Sequence, residues 1–263
     1  GSYNKNEVGN IPTSDGIIHG AGDELYNNAS EFYRAENGQP IGYFWGYKTA
    51  GIFQNTQEID EWRAAGNGIL QSNVQPGDVR FVDRNHDGQI NDKDKVNLGN
   101  GTPDFTLGLN LGFVYKGFDF SIVANGAFGQ QIVQSYRNHT RPTPNYTTAI
   151  LDRWHGEGTS NRIPRVTDSN INYQFSDLFI QNGDYLRLST LTLGYDFAKL
   201  FKGKAVSQAR LYFQVQNLFI ITGYDGMDPE IGFGSSNNSW VSGLDYGYYP
   251  RPRTVLVGVN LKF

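Results

Sequence analysis

The regular alternation of apolar and polar residues is the feature that most limits how this chain can fold. In residues 254–263, TVLVGVNLKF, an apolar residue occupies every second position, and only Leu256 departs from the pattern. Residues 105–115 and 118–124 alternate in the same way. A period of two places successive side chains on opposite faces of a β-strand. These segments are therefore predicted to be strands with one apolar and one polar face.

Two further segments follow the same rule, and one of them contains a break. Residues 189–197, STLTLGYDF, alternate, and in 210–219, RLYFQVQNLF, an apolar row is formed by Leu211, Phe213, Val215 and Phe219. Upstream of the first, Leu186 and Leu188 have the opposite parity. Because one extra residue in a strand reverses the side-chain alternation, we expect a β-bulge near Ser189.

Composition supports a β protein and excludes several functional classes. The 263 residues include 32 Gly, 17 Phe and 16 Tyr, which favours strands and turns over helices. There is no Cys, so neither a disulfide framework nor a Cys-based zinc site is possible. The net charge of -4 gives no nucleic-acid signature. No apolar run reaches the length of a transmembrane helix, which leaves a soluble β-sandwich or a β-barrel.

The connections between the strands favour the barrel. Lys116-Gly117 forms a tight turn and 198–208 is short, whereas 55–103, 132–183 and 222–250 are long. Short turns on one rim and long loops on the other are typical of outer-membrane barrels. The small polar residues then face a wet interior, and the apolar rows face lipid. The predicted fold class is all-β, an antiparallel transmembrane β-barrel segment with long extracellular loops.

The remaining segments are harder to place. Residues 42–54 are a weaker candidate for a sixth strand, and 2–8 are the possible end of a seventh. Threading the strands up and down puts 9–40 on the periplasmic rim or inside the lumen. We therefore divide the chain into 1–40, a strand end plus an irregular segment, and 41–263, strands with loops. Because so few strands do not close around a wet lumen, the chain is expected to be part of a larger barrel or to pair with other copies.

The long segment 55–103 contains a candidate calcium loop at 83–94, DRNHDGQINDKD. A twelve-residue calcium loop places oxygen ligands at fixed positions and a glycine at its sixth position, here Gly88. An alternating strand leads into it, 95–103 is expected to leave it as a loop, and Ile90 can pin it to its neighbours. The alternative is an Asx-rich turn without an ion. The predicted ligands are Asp83, Asn85, Asp87, the carbonyl of Gln89, Asn91 and Asp94.

Several stretches resemble one transporter family. GQPIGYFWGYKTAGIFQ, QPGDVRFVDRNHDGQINDKDKVNLGNGTPDFTLGLNLGFVYKGFDFSI, NGDYLRLSTLTLGYDF and the terminal Phe263 occur in the order seen in SusC/RagA-type TonB-dependent transporters of Bacteroidetes. The resemblance implies the C-terminal part of a barrel of about 22 strands. It also implies a plug domain and a TonB box that are absent from this chain. A SusD-like surface lipoprotein and import of glycans or peptides through the outer membrane are implied as well.

Aromatic residues in the long loops are candidate substrate contacts. Flat rings can stack on sugars or peptide groups, although the same residues can simply pack the loops together or meet the lipoprotein. No catalytic constellation is recognisable, so the protein is not expected to be an enzyme. A calcium-stabilised surface adhesin or glycan-binding module without transport is the alternative function, and it predicts a closed sandwich. The candidate contacts are Tyr146, Trp154, Trp240, Tyr246 and Tyr248.

Overall fold

The computed structural model describes most of the chain, and its regular elements are nearly all strands. The described ranges are 1–20, 31–135, 147–167, 171–200, 206–232 and 240–263. One α-helix, Thr56–Ala64 (α1), is present in these ranges. The strands are, in chain order, Ser2–Tyr3 (β1), Ile17–His19 (β2), Tyr33–Glu36 (β3), Tyr43–Tyr47 (β4), Thr49–Ile52 (β5), Val79–Phe81 (β6), Lys95–Asn100 (β7), Phe105–Tyr115 (β8), Phe118–Phe128 (β9), Gln131–Gln134 (β10), Ile180–Asn182 (β11), Tyr185–Asp196 (β12), Gln208–Thr222 (β13), Leu244–Asp245 (β14) and Thr254–Lys262 (β15).

The largest sheet has six strands in the order β1-β8-β9-β12-β13-β15, and all its neighbours are antiparallel. Apart from its first strand it runs up and down in chain order, as the wall of a barrel does. The five strongest alternating segments of the sequence all lie in it, which confirms the predicted fold class. Its two outer strands, β1 and β15, each have one edge without a strand partner in the described chain.

Two local features of the wall were predicted correctly. Lys116 and Gly117 join β8 to β9 as a two-residue turn with φ of 48° and 93°, directly after the pair Tyr115–Phe118. Both central residues of such a turn need positive φ, which glycine adopts at little cost. The register of β12 against both its neighbours shifts between Leu188 and Thr190, so the bulge lies at Ser189.

The apolar face of this sheet is bare. Phe113, Val257 and Leu261 are 59, 71 and 57% exposed, respectively, although each belongs to a strictly alternating apolar row. No layer of the described chain covers the face, whereas a sandwich would bury it. At the end of the sheet with the short turns, Phe118 and Tyr195 pack with their ring centroids 4.4 Å apart. This arrangement suits a surface that faces lipid with an aromatic girdle at its edge.

The opposite face is polar and cross-linked by an ion pair. Arg210 on β13 binds Asp119 on β9, with its Nε 2.7 Å from Oδ1. The two side chains cross the intervening strand β12 over Gly194, where an added Cβ would clash with both of them. The small residue on the polar face therefore makes room for a charged bridge between non-adjacent strands.

All the long connections leave the same end of the wall. Tyr3 pairs with Phe105, and Phe105 pairs with Phe128, so the chain departs after β1 and returns at β8 on one side. The β9–β12 and β13–β15 connections leave from this same end, as predicted for the long loops. The placement of residues 9–40 on the opposite, periplasmic rim or inside the lumen was wrong for the described part of this segment, because the sheet pairing puts the described residues between Asn4 and Asp104 at the long-loop end.

Two predictions about segments in this region were also wrong. Residues 42–54 do not form a sixth wall strand; they form β4 and β5, which belong to separate small sheets. Residues 95–103 were expected to be a loop, but Lys95–Asn100 form β7 and pair with β4. The alternation of apolar residues in both segments serves burial in the loop region rather than contact with lipid.

The long-loop region has its own hydrophobic core. It contains the sheets β2-β3-β4-β7, β11-β10-β14 and β5-β6. Helix α1 begins after Asn55, whose side chain accepts a hydrogen bond from the backbone N–H of Glu58. In the described ranges, no helix combines the length and apolar character needed to cross a membrane. The largest core cluster contains Phe32, Tyr33, Phe44, Leu98, Val133, Phe175, Phe179, Val241 and Leu244.

Candidate functional site

The predicted calcium loop is a compact turn between β6 and β7 in the long-loop region. Strand β6 leads into it as predicted, and the loop ends in a 3-10 turn at Asp92–Asp94. Ile90 is buried against Tyr47, Val79 and Phe81, so it pins the loop to β4 and β6 as predicted. Burial, and secondly the carboxylates of Asp92 and Asp94 in the 3-10 turn, raise the pKa of Tyr47 to about 12.

Asp83, at the first position of the loop, is 1% exposed and forms its centre. Its Oδ2 accepts hydrogen bonds from the backbone N–H groups of Gly88 at 2.9 Å and Gly68 at 3.0 Å. Its Oδ1 has no hydrogen-bond partner of normal geometry, although the backbone N–H groups of His86 and Asp87 face the carboxyl. Burial by itself raises the pKa of Asp83, but these N–H groups outweigh it and hold the pKa below its usual value.

The side chains at the middle of the loop form successive Asx turns. Asn85 Oδ1 accepts the N–H of Asp87 at 3.1 Å, and Asp87 Oδ1 accepts the N–H of Gln89 at 2.9 Å. Asn91 Oδ1 accepts the N–H of Lys93 at 3.0 Å. Each of these oxygens keeps a second lone pair, so the turns do not use up the capacity to bind a cation.

Asp94, at the last position, is fully buried and closes the loop. Its Oδ1 accepts the N–H of Arg84 and its Oδ2 accepts the N–H of Asn91, both at 2.8 Å. The carboxylate therefore ties together the entry and exit limbs. Among the described residues, no group of three or more His, Cys, Asp or Glu side chains is arranged to hold a metal ion. Calcium binding by these residues stays a prediction.

An open cleft of about 520 Å³ lies beside the loop. Its walls are β3, β4 and β7 together with the two limbs of the loop. Four of its lining residues are cations and two are aromatic, and Glu36 is the acidic residue among them. The cations are Arg34, Arg84, Lys93 and Lys95, and the aromatic residues are Tyr43 and Trp45.

The cations of the cleft differ in how they are paired. The Arg34 guanidinium lies 3.9 Å from the Trp45 ring centroid and binds both carboxylate oxygens of Glu31, at 2.7 and 3.0 Å. Lys95 Nζ lies 2.8 Å from an oxygen of Asp92. For Arg84 and Lys93, the described chain supplies no carboxylate within ion-pair distance.

Tyr43 belongs to the floor of the cleft. Its hydroxyl donates to the carboxylate of Glu36. Burial, and secondly this contact, raise the pKa of Tyr43 above its ordinary value, so the phenol stays protonated as the donor.

Four of the five predicted aromatic substrate contacts lie in described residues, and their surroundings differ. Trp154 donates to the side chain of Gln54 at 3.2 Å, near helix α1. Trp240 and Tyr246 pack against the main hydrophobic core, and Tyr248 is 42% exposed. Tyr146 lies outside the described residues. Contact of these residues with a substrate stays a prediction. For Trp240 and Tyr246, packing against the core explains the aromatic side chain without a substrate.

Sequence reasoning missed the cleft. Its cations come from two regions of the chain, Arg34 on β3 and the group Arg84, Lys93 and Lys95 in and just after the loop 83–94, and local patterns do not show that these regions lie side by side. The only local signal is the aromatic run YFWGY at 43–47, which alternation alone assigns to a wall strand.

The chain is similar in sequence to curated proteins that are named TonB-dependent receptors. No protein-family profile matches the chain. A TonB-dependent receptor of Formosa agariphila is 32% identical across the whole chain, which covers 26% of that relative. The TonB-dependent receptor SusC of Bacteroides thetaiotaomicron is 28% identical across the whole chain, which covers 24% of it. The chain therefore spans about a quarter of the length of the curated relatives it matches.

Solved structures show the same fold. The RagAB peptide transporter superposes with a TM-score of 0.69 at 21% identity, over 99% of this chain and 26% of that one. The RagAB peptide importer in its open-open state gives a TM-score of 0.68 at 19% identity over the same shares.

Proposed function

We propose that this chain, which is homologous over its whole length to SusC-type TonB-dependent receptors, forms wall and outer loops of an importer in the outer membrane. The imported nutrient is a glycan or a peptide, and the chain itself performs no catalysis. It contributes to the path of the nutrient through the polar face of its sheet and through its long loops.

The bare apolar face of the six-stranded sheet carries this proposal. Burying apolar surface contributes roughly 25 cal/mol per Å², so rows such as Val255, Val257 and Val259, each at least 59% exposed, need an apolar neighbour. Lipid supplies one all along the face. The adhesin alternative requires a closed sandwich, and the uncovered rows argue against it.

The free edges of β1 and β15 support the view that further strands complete the barrel. An unpaired edge presents backbone N–H and C=O groups, which have no water partner inside a bilayer. In this proposal the remainder of the transporter supplies the missing strands and the plug. TonB acts through that remainder, and a SusD-like lipoprotein covers the outer side.

Cysteine labelling of the full receptor in intact cells tests the proposed topology. The segment has no cysteine of its own, so single substitutions give a clean signal from it. We expect a membrane-impermeant maleimide to label Arg63→Cys on the long-loop side and to leave Lys116→Cys on the short-turn side unlabelled. Val257→Cys should react only with a lipid-soluble reagent. Labelling of Lys116→Cys but not Arg63→Cys in intact cells would contradict the topology.

We further propose that the loop 83–94 binds a calcium ion that rigidifies the long-loop region. The buried, unpartnered Oδ1 of Asp83 supports this, because leaving a buried polar atom unpaired costs about 1–3 kcal/mol. Side-chain oxygens of Asn85 and Asp87 and the carbonyl of Gln89 complete a donor set of the kind that calcium prefers. Asp94 would act through the loop closure that it already provides, or as a further ligand.

Calcium titration of the purified receptor tests this proposal. We expect Asp87→Asn, at an exposed position, to remove one bound calcium per receptor, whereas the control Asp60→Asn on α1 keeps it. At calcium about 100-fold above the dissociation constant, binding should stabilise the loop by about 2.7 kcal/mol. A chelator should therefore speed proteolysis within this loop in the wild type but not in the variant. Equal stoichiometry in both variants would refute the site.

A further inference from the structure

We propose that the cleft between β3, β4, β7 and the Asx-rich loop binds an anionic saccharide, meaning a sugar that carries sulfate or carboxylate groups. This inference rests on the proposed function, since it names a substrate class for the outer side of the importer. The predicted aromatic contacts within the described residues, Trp154, Trp240, Tyr246 and Tyr248, are not among the residues that line this cleft.

The dimensions of the cleft suit a small carbohydrate. Its volume of about 520 Å³ falls within the range of roughly 300–1,000 Å³ usual for small-molecule sites. Three strands of one sheet supply its floor, which makes that floor rigid. The two loop limbs that form its side are tied to each other through the buried carboxylate of Asp94.

The charge of the cleft is opposite to that of the chain. The lining contains four cations and one carboxylate, whereas the whole chain has a net charge of -4. Glu31 and Asp92 each neutralise one of these cations. Arg84 and Lys93 remain without a carboxylate partner in the described chain, and a cleft that concentrates one sign of charge attracts the opposite one.

The fold brings these two unpaired cations together. Arg84 and Lys93 lie at opposite ends of the loop sequence, yet both line the cleft. Both limbs of the loop reach the cleft because Asp94 accepts the backbone N–H of Arg84 and, at its other oxygen, that of Asn91. Only the backbone of Arg84 is used in this closure, so its guanidinium is available to a ligand.

The neutral groups of the cleft favour a sugar over an acidic peptide. Asn97 donates to Gln39 at 2.9 Å, which orients both amides in the lining. Glu36 accepts one hydrogen bond from Tyr43, and a carboxylate can accept several. Amides, a carboxylate and the partly buried ring of Trp45 match the hydroxyls and the apolar face of a sugar. An extended peptide is commonly held by backbone pairing along a strand edge, whereas the polar groups named here are side chains.

Calorimetric titration of the purified full receptor tests the inference. The probes are a sulfated disaccharide, trigalacturonate, the neutral cellotriose, an acidic tetrapeptide and inorganic sulfate. We expect one of the two anionic sugars to bind at least tenfold more tightly than cellotriose. The double variant Arg84→Ala/Lys93→Ala should lose at least tenfold of that affinity, and Arg84→Lys/Lys93→Arg should retain most of it.

The matched control is Arg63→Ala/Arg162→Ala, which removes the same charge from exposed positions outside the cleft, and it should change the affinity less than twofold. Equal losses in the two alanine variants would indicate nonspecific attraction and overturn the inference. The same would follow if the sugars did not bind, or if inorganic sulfate or the peptide bound as tightly as the better sugar with the same dependence on Arg84 and Lys93. Because binding is measured on the purified receptor, such a failure would leave the topology found by cysteine labelling intact.

Discussion

A charge placed on the apolar face of the wall should destabilise the protein more strongly in lipid than in detergent, and Val257→Arg is the sharpest case. Val257 is the fourth of the nine residues of β15 and is 71% exposed on the apolar row. Nine residues at about 3.3 Å each, tilted by about 45°, cross roughly 21 Å of bilayer. Val257 then lies within a few Å of the middle of the strand.

At that depth the expected cost of an arginine is about 2–4 kcal/mol, because the guanidinium must be taken into hydrocarbon or drag water with it. Leu256→Arg is the matched control, since it sits on the adjacent residue with its side chain on the opposite, polar face. For Leu256 we expect a loss of no more than about 1 kcal/mol, as for a surface substitution. The difference in stability between the two variants therefore measures the effect of the sheet face, because both substitutions lie at nearly the same position along the strand.

Urea unfolding of the full receptor in lipid bilayers, followed by the mobility shift of folded barrels on unheated gels, measures both variants. The same pair in a detergent with a small headgroup should show a smaller difference, because the charge reaches water more easily. Equal destabilisation by Val257→Arg and Leu256→Arg, or greater destabilisation by the latter, would refute the assignment of the two faces.

Three further perturbations test other parts of the structure. Gly117→Ala should destabilise the β8–β9 turn by about 1–2 kcal/mol in urea unfolding, since φ is 93° there; a neutral result would contradict the turn geometry. Arg187→Met should remove the ion-pair partner that lies 2.5 Å from the buried Asp228, cost about 3–5 kcal/mol, and speed proteolysis of the described residues around Asp228; unchanged digestion would contradict this anchoring role. The pKa of His19 is raised chiefly by its hydrogen bond to Glu31. The protonated imidazole therefore stabilises the folded state fully below pH 6.5, and this stabilisation is lost as the pH rises through the raised pKa. Hydrogen exchange of the β2 amides should therefore speed up between pH 6 and 8 beyond the intrinsic rate, and an unchanged protection factor would contradict the sign.

The wall of the protein was predictable because alternation is a local property. A strand that faces two different media must alternate between apolar and polar residues. The faces of 105–115 and 254–262 can therefore be assigned without knowledge of their partner strands. The bulge at Ser189 was visible for the same reason, as a change of parity inside one strand. The Lys116-Gly117 turn follows from the tolerance of glycine for positive φ.

The sequence also indicated the loop 83–94, because its turn chemistry is local. Asp83, Asn85 and Asp87 each take a hydrogen bond from a backbone N–H group at most five residues further along the chain. The sequence does not show which hydrogen bonds each carboxylate oxygen accepts. Asp83 Oδ1 is left without a partner, and Asp94 is used by two N–H groups of the loop, which becomes visible only when the loop is closed.

Everything that depends on which segments meet was decided by the tertiary structure. Residues 43–47 alternate like a wall strand, but pairing with β3 and β7 removes them to the loop region. The short pairing of Tyr3 with Phe105 puts the described residues of 9–40 at the long-loop end, whereas counting the strands predicted the opposite end. The cleft exists because β3 and β4, with Arg34 and Trp45, lie beside the loop that carries Arg84 and Lys93, although the two regions are well separated along the chain. Side-chain periodicity indicates whether a residue faces an apolar or a polar environment. Where the residue lies is determined by long-range strand pairing, for which many similar strands compete.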